Sequence, residues 1–170
     1  AARITDHNGT SDFVQHGPTG KLAFDNTDDL LNPTRGFRVS LTGAAFPTWF
    51  GSSENVFTTN PAASSYLNLA GKGDLVLAGR VGVANVFGSS LESLPADRRL
   101  YAGGGGSVRG YKFRSISPED SNGDLTGGRS AVTGSIELRY RFLGDFGIVP
   151  FFDAGTVSRS AMPNFDEPIR

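Results

Sequence analysis

Arg109, Glu137 and Asp153 are the residues of this chain best suited to paired work. A guanidinium offers a planar fork of donors that matches a carboxylate, and a carboxylate in a partly dehydrated interior needs such a partner. Arg109 follows closely on Gly103-Gly104-Gly105-Gly106, so it sits on a loop with unusual backbone freedom. The alternative is that all three are ordinary solvated charges. Other chemistries fail on spacing. A phosphate loop needs Lys then Ser/Thr after its last Gly, and Gly110 is followed by Tyr111-Lys112. A dinucleotide fingerprint begun at Gly103 meets Val108 where its last Gly belongs. A calcium loop begun at Asp120 has Leu125 for Gly and Ala131 for Glu. Gly106-Ser107-Val108-Arg109-Gly110 lacks the spacing of a nucleophile elbow. With no Cys, thiol catalysis and Cys-based zinc sites are excluded, and His7 and His16 have no evident partners.

The elements that must position these residues are strands. Val132, Gly134, Ile136, Leu138, Tyr140 and Phe142 alternate with Thr133, Ser135, Glu137, Arg139 and Arg141. Such a run suits a tilted membrane-crossing strand of roughly 9–11 residues. A second run, Phe146 to Val157, follows a short turn at Leu143-Gly144-Asp145, and Pro150 inside it predicts a bulge or a broken ladder. Parity puts Glu137 on the polar face of the first and Asp153 on the Gly155 face of the second. In a barrel both point into the lumen, where a loop arginine could reach them. Leu75–Phe87, Phe37–Thr42, a weaker Leu67–Ala70, Lys21–Asn26 and Ser11–Gln15 bring the expected strands to seven, or eight with Arg3–Asp6. Thr42 to Ser65 is expected to contain a Gly/Ser/Asn/Pro-rich loop. Gly88 to Arg129 has no alternating run of strand length, and connections so long are usually functional or disordered.

Composition agrees with an all-β chain. It carries 23 Gly and 13 Phe in 170 residues, and charged residues are only 19%. The net charge of −1 and scattered Lys and Arg argue against nucleic acid as a partner. No apolar run approaches the ~18 residues of a membrane helix, so a membrane role would have to use strands. Short turns on one side, long loops on the other and alternating strands describe an outer-membrane barrel. A soluble β-sandwich binding module shares the alternation and is the competing expectation.

Several motifs in order resemble the Omp85 superfamily. Val108-Arg109-Gly110-Tyr111 resembles its Val-Arg-Gly-Phe/Tyr motif of the sixth extracellular loop. Phe151-Phe152-Asp153-Ala154-Gly155 matches its Phe-x-Asp-x-Gly strand motif, and Gly134-Ser135-Ile136-Glu137 its Gly-Ser-x-Glu. Asn32-Pro33-Thr34-Arg35-Gly36-Phe37-Arg38 is similar to its Pro-x-Arg-Gly strand start. Leu94-Pro95 and Arg98-Arg99-Leu100-Tyr101-Ala102-Gly103-Gly104 resemble the approach to the loop. Within the superfamily, Val108 to Pro118 with Asp120–Gly123 and Leu125–Gly127 is most similar to the TamA branch, the outer-membrane subunit of the translocation and assembly module.

The resemblance implies an antiparallel transmembrane β-barrel in the bacterial outer membrane, sixteen-stranded in full and preceded by periplasmic POTRA domains. Residues 1–170 are expected to hold a partial barrel domain of seven to eight strands, with a long extracellular loop at about 88–129 and no POTRA domains. It implies that Arg109 tucks into the lumen, held by Glu137 and Asp153. Gly110 would allow the turn, Tyr111 would pack on the inner wall, and Phe151 and Gly155 belong to the strand motif. No catalytic residue, cofactor or metal is implied. The implied activity is insertion or translocation of β-barrel and autotransporter proteins. Implied partners are the outer-membrane bilayer, unfolded outer-membrane and autotransporter substrates, and a TamB-like inner-membrane-anchored protein. A passive pore or surface antigen is the rival that shares the barrel.

Overall fold

Alternation of apolar and polar residues forces a sheet to present two unlike faces, and this chain builds one such sheet. The computed structural model describes residues 2–6, 9–144 and 146–170, with side chains from Phe13 onward; His7 lies outside the described residues. Among these, the strands are β1 (Ala2–Asp6), β2 (Gly9–Phe13), β3 (Thr19–Asp25), β4 (Gly36–Phe46), β5 (Val56–Asn68), β6 (Leu75–Phe87), β7 (Ser130–Leu143), β8 (Phe146–Ile148) and β9 (Phe151–Ser158). A single 3-10 turn, Thr48–Phe50, is the helical element among the described residues. β3 to β8 pair antiparallel in chain order, and β9 pairs with β7 to complete a seven-stranded sheet. Among the described residues β1 and β2 pair only with each other, so the two N-terminal strands expected of the wall form a separate two-stranded sheet.

β8 and β9 continue one line along β7. Pro150 has no N–H to give, so the ladder opens there. Its carbonyl still accepts from Leu138 N–H at 3.0 Å, and the register on the two sides of the gap is the same. The register shift lies instead between Arg141 and Leu143, beside the turn. The expected broken ladder is present, and the bulge sits elsewhere.

β5 departs from the expected pattern. Its loop is confined to residues 47–55, and the strand begins at Val56, well before Leu67. The sequence between carries Pro61 and small residues such as Ala63 and Ser65, so no apolar alternation announces it. Tertiary pairing supplies the order: β4 and β6 flank β5 on both edges, and the β5–β6 ladder skips Asn60 and Pro61. Leu69 and Ala70 fall outside the strand, where Leu69 N–H closes the turn onto the Leu75 carbonyl at 2.8 Å.

The outward face is apolar and uncovered. Leu22, Phe24, Leu41, Ile136 and Phe152 are 74%, 58%, 44%, 57% and 70% exposed. No second sheet packs on it among the described residues, which removes the main support for the sandwich expectation. The core lies on the other face. Residues 88–129 form no regular strand, only isolated bridges such as Ala102↔Ile116 and Gly104↔Val108. This long segment lies against the inner wall. Its Ala102, Val108 and Ile116 bury with Ala131 of β7 and Val157 of β9. Leu94 buries with Phe13, Val56 and Val86. The loop therefore supplies the cover that a second sheet would supply in a sandwich.

Candidate functional site

The site begins with a close approach of loop to wall. Val108 is fully buried. A Cβ at Gly155 would stand 2.8 Å from Val108 Cγ2 and 3.1 Å from the Val132 carbonyl oxygen. Gly155 is thus the notch in β9 that admits the loop. Val108 seated there delivers the next residue, Arg109, onto a patch made by two register pairs of the wall. Ser135 of β7 stands opposite Asp153 of β9, and Glu137 of β7 opposite Phe151 of β9. In an antiparallel pair, directly opposed residues share a face, so all four point inward with their side chains adjacent.

Arg109 touches every member of this patch. Its Nε and Nη2 donate to the two oxygens of Asp153 at 2.7 and 2.8 Å, a bidentate fork. Nη1 donates to Glu137 Oε1 at 2.7 Å, and Nη2 also donates to Ser135 Oγ at 2.9 Å. The Arg109 backbone N–H adds a bond to Asp153 Oδ2 at 2.9 Å. The guanidinium carbon stands 3.7 Å from the centre of the Phe151 ring, so the aromatic face covers the cation. The Asp153 side chain is 2% exposed, which makes its partner indispensable. Hydrogen bonding to Asp153 raises the Arg109 pKa above its ordinary value, so this cation stays charged at any working pH. Glu137 Oε2 accepts from Arg139 Nε and Nη2 at 3.1 and 3.0 Å. Two arginines and two carboxylates thus close on each other. The arrangement fixes a loop to a wall.

Gly110 has φ +87° with nothing near its absent Cβ, so backbone conformation, not space, requires glycine there. Tyr111 lines a cavity of about 400 Å³ beside Ile116 and Val157. The residue remains 42% exposed, less packed than the resemblance implies. Ser135 stands in the quoted Gly-Ser-x-Glu motif, but the sequence gives neither it nor Arg139 a part in holding Arg109. Parity alone could have found them, since both share the face of Glu137.

The Asn32–Arg38 motif builds a turn between β3 and β4, at the far edge of the sheet. Arg38 Nε donates to Asp25 Oδ2 at 2.7 Å, and its Nη2 reaches Thr27 Oγ1 and the Asp29 and Leu30 carbonyls, each at 2.9 Å. Asp28 accepts from the Thr34 hydroxyl at 2.6 Å and from the Thr34 and Arg35 backbone N–H groups at 2.8 and 3.1 Å. Chiefly through the Thr34 hydroxyl, these bonds hold the Asp28 pKa down at about 2.

Comparison with known proteins agrees with this geometry. The family model described as the Omp85 superfamily domain matches residues 4–169. The outer membrane protein assembly factor BamA of Nitratidesulfovibrio vulgaris is 32% identical over 152 residues, covering 86% of this chain and 19% of the relative. BamA of Neisseria meningitidis serogroup B is 31% identical over 141 residues, covering 77% and 17%. The crystal structure of BamA from Haemophilus ducreyi lacking POTRA domains 1-3 superposes with a TM-score of 0.70 at 26% identity, covering 82% of this chain and 29% of that one. The chain therefore spans about a fifth of the length of the curated relatives it matches. A one-sided apolar sheet, a loop clamped to its inner wall by one arginine, and a family match over nearly the whole chain converge: the chain belongs to the Omp85 superfamily.

Proposed function

We propose that this chain is part of an outer-membrane barrel whose whole protein helps insert or translocate β-barrel and autotransporter proteins. The outward apolar face meets lipid, and the long loop at 88–129 enters the lumen from the extracellular side. The substrates are unfolded outer-membrane and autotransporter proteins. The physical task is to cover strand edges, whose unpaired backbone groups are costly in lipid. A barrel with an openable seam does this by adding an incoming strand to its own edge. No nucleotide, cofactor or bond-making step is part of this activity.

The observation that carries the proposal is the grip of one guanidinium on Ser135, Glu137, Phe151 and Asp153. A pore that only conducts has no need to fix its loop so firmly. Reconstituted into liposomes, full-length protein carrying Arg109→Ala should assemble a β-barrel substrate at least about tenfold more slowly, since each lost charge-assisted bond is worth roughly 1.5–3 kcal/mol. Gel mobility without heating checks that its own barrel has folded. Unimpaired assembly with altered ion conductance would favour the passive-pore reading instead. The finer placement in the TamA branch, with a TamB-like partner, stands on the Val108–Pro118 loop sequence, while the relatives named above are BamA proteins. Recovery of an inner-membrane-anchored partner on co-purification would support it.

A further inference from the structure

The four-glycine run is only half explained by the fold. Gly103 and Gly104 have φ +102° and +97°, and Cβ atoms there would stand 2.5 Å from the Lys112 carbonyl oxygen and 3.2 Å from the Phe113 ring. Gly105 and Gly106 have neither reason: their φ values are not positive, and a Cβ on either would meet nothing within 4 Å. What lies before them is a cavity of about 220 Å³ between the loop and the inner wall, lined by Tyr66, Arg80 and Arg139 on the wall side. Side chains at 105 and 106 would project from a turn at the rim of that cavity.

The charges around the cavity do not balance. It is lined by three arginines, Arg80, Arg109 and Arg139, against two carboxylates, Glu137 and Asp153. Both carboxylates are already committed to Arg109 and Arg139. Arg80 forms no ion pair among the described residues; its one hydrogen bond goes from Nη2 to the Gly106 carbonyl at 2.9 Å. The other arginines of the seven-stranded sheet all have acids: Arg38 has Asp25, Arg139 has Glu137, and Arg141 has Asp74. The amides of Gly105 and Gly106 donate to no protein acceptor among the described residues. Two residues with unpartnered amides and no side chain thus line the same cavity as one surplus positive charge. Successive free amides in a turn beside a cation form an anion-binding concavity.

We propose that Arg80, with the Gly105-Gly106 turn, forms an oxyanion site on the inner wall, suited to a carboxylate or a phosphate ester. Arg80 supplies the charge and the remaining fork donors, and the glycine amides supply the opposing donors. The missing Cβ atoms leave room for the anion to reach them. The site shares its cavity with the Arg109 clamp, whose acids are already paired.

The test titrates inorganic phosphate, and in parallel acetate, into the full-length protein in detergent micelles at constant ionic strength. Binding is read as the shift of the thermal midpoint and as broadening of the phosphorus resonance for phosphate. Wild type should bind at least one of the two anions saturably, and Arg80→Gln should bind it tenfold or more weaker. Gly106→Ala adds one methyl group at an unstrained position and should weaken binding similarly, with the loop's protease resistance unchanged. It carries the test if Arg80→Gln does not fold. Tighter phosphate binding assigns the site to phosphate esters, and tighter acetate binding to carboxylates. Saturable binding of neither anion to wild type overturns the proposal, as does equal binding by wild type, Arg80→Gln and Gly106→Ala.

Discussion

At the residue scale, the clamp depends on one absent side chain as much as on the charges. Gly155 makes room for Val108, and Val108 sets the position of Arg109. Gly155→Val should lower stability by about 1–3 kcal/mol through overpacking, measured by urea unfolding of the refolded barrel. Adding Val108→Ala should recover part of the loss, because the two side chains compete for one notch. Equal losses in the single and double variants would show that the notch is not the cause. The Asp28 turn makes a pH prediction. Its folded pKa, about 2, lies below the ordinary 3.8. The stabilisation it contributes is therefore complete above about 4 and is lost as pH falls through about 2. Asp28→Asn should narrow the difference in thermal midpoint between pH 5 and pH 2. An unchanged difference would mean that the Thr34 contacts do not persist in solution.

At the scale of elements, the β7–β9 pair is the platform of the site, and its register decides which side chains meet. Ile136 lies midway along β7 and points outward, opposite Phe152, while Ser135 and Glu137 point in. One residue of slip would exchange these sets and expose the carboxylates to lipid. Ile136→Lys should therefore cost roughly 2–4 kcal/mol in a bilayer, the range for a cation on the lipid face at mid-depth. Folding titrations into lipid vesicles measure this. A cost near zero would place that face away from lipid. Pro150 opens the ladder without altering its register, so the platform keeps its alignment across the gap.

At the scale of the whole molecule, the outward face and the inner face ask for different solvents. Phe24, Ile136, Phe146 and Phe152 are between 57% and 70% exposed, and together with their neighbours they form a continuous apolar surface. Exposed patches of this kind mark membrane or protein contact. The inner face is covered by the chain's own loop, held by Val108, Arg109 and Ile116. Disrupting the clamp should then loosen the loop before it loosens the sheet. Hydrogen exchange on Arg109→Ala should rise in residues 100–118 and stay low in β6 and β7. A uniform rise across both would show that the clamp stabilises the whole sheet.

Local sequence carries the strand alternation of β6, β7 and β9, the apolar and polar faces, the strand-free length of residues 88–129, and the candidates Arg109, Glu137 and Asp153. These are properties of period, residue type and parity, which local sequence carries. It could not determine the start of β5, because Pro61 and small residues leave no pattern and pairing with β4 and β6 supplies the order. Nor could it show that β1 and β2 leave the wall, since both alternate too weakly to choose a neighbour. Long-range pairing brings Ser135 and Phe151 onto Arg109 and leaves Arg80 without an acid among the described residues. Register and loop placement are long-range quantities: they follow from which strands meet and where Val108 finds space at Gly155, and no single segment contains that information.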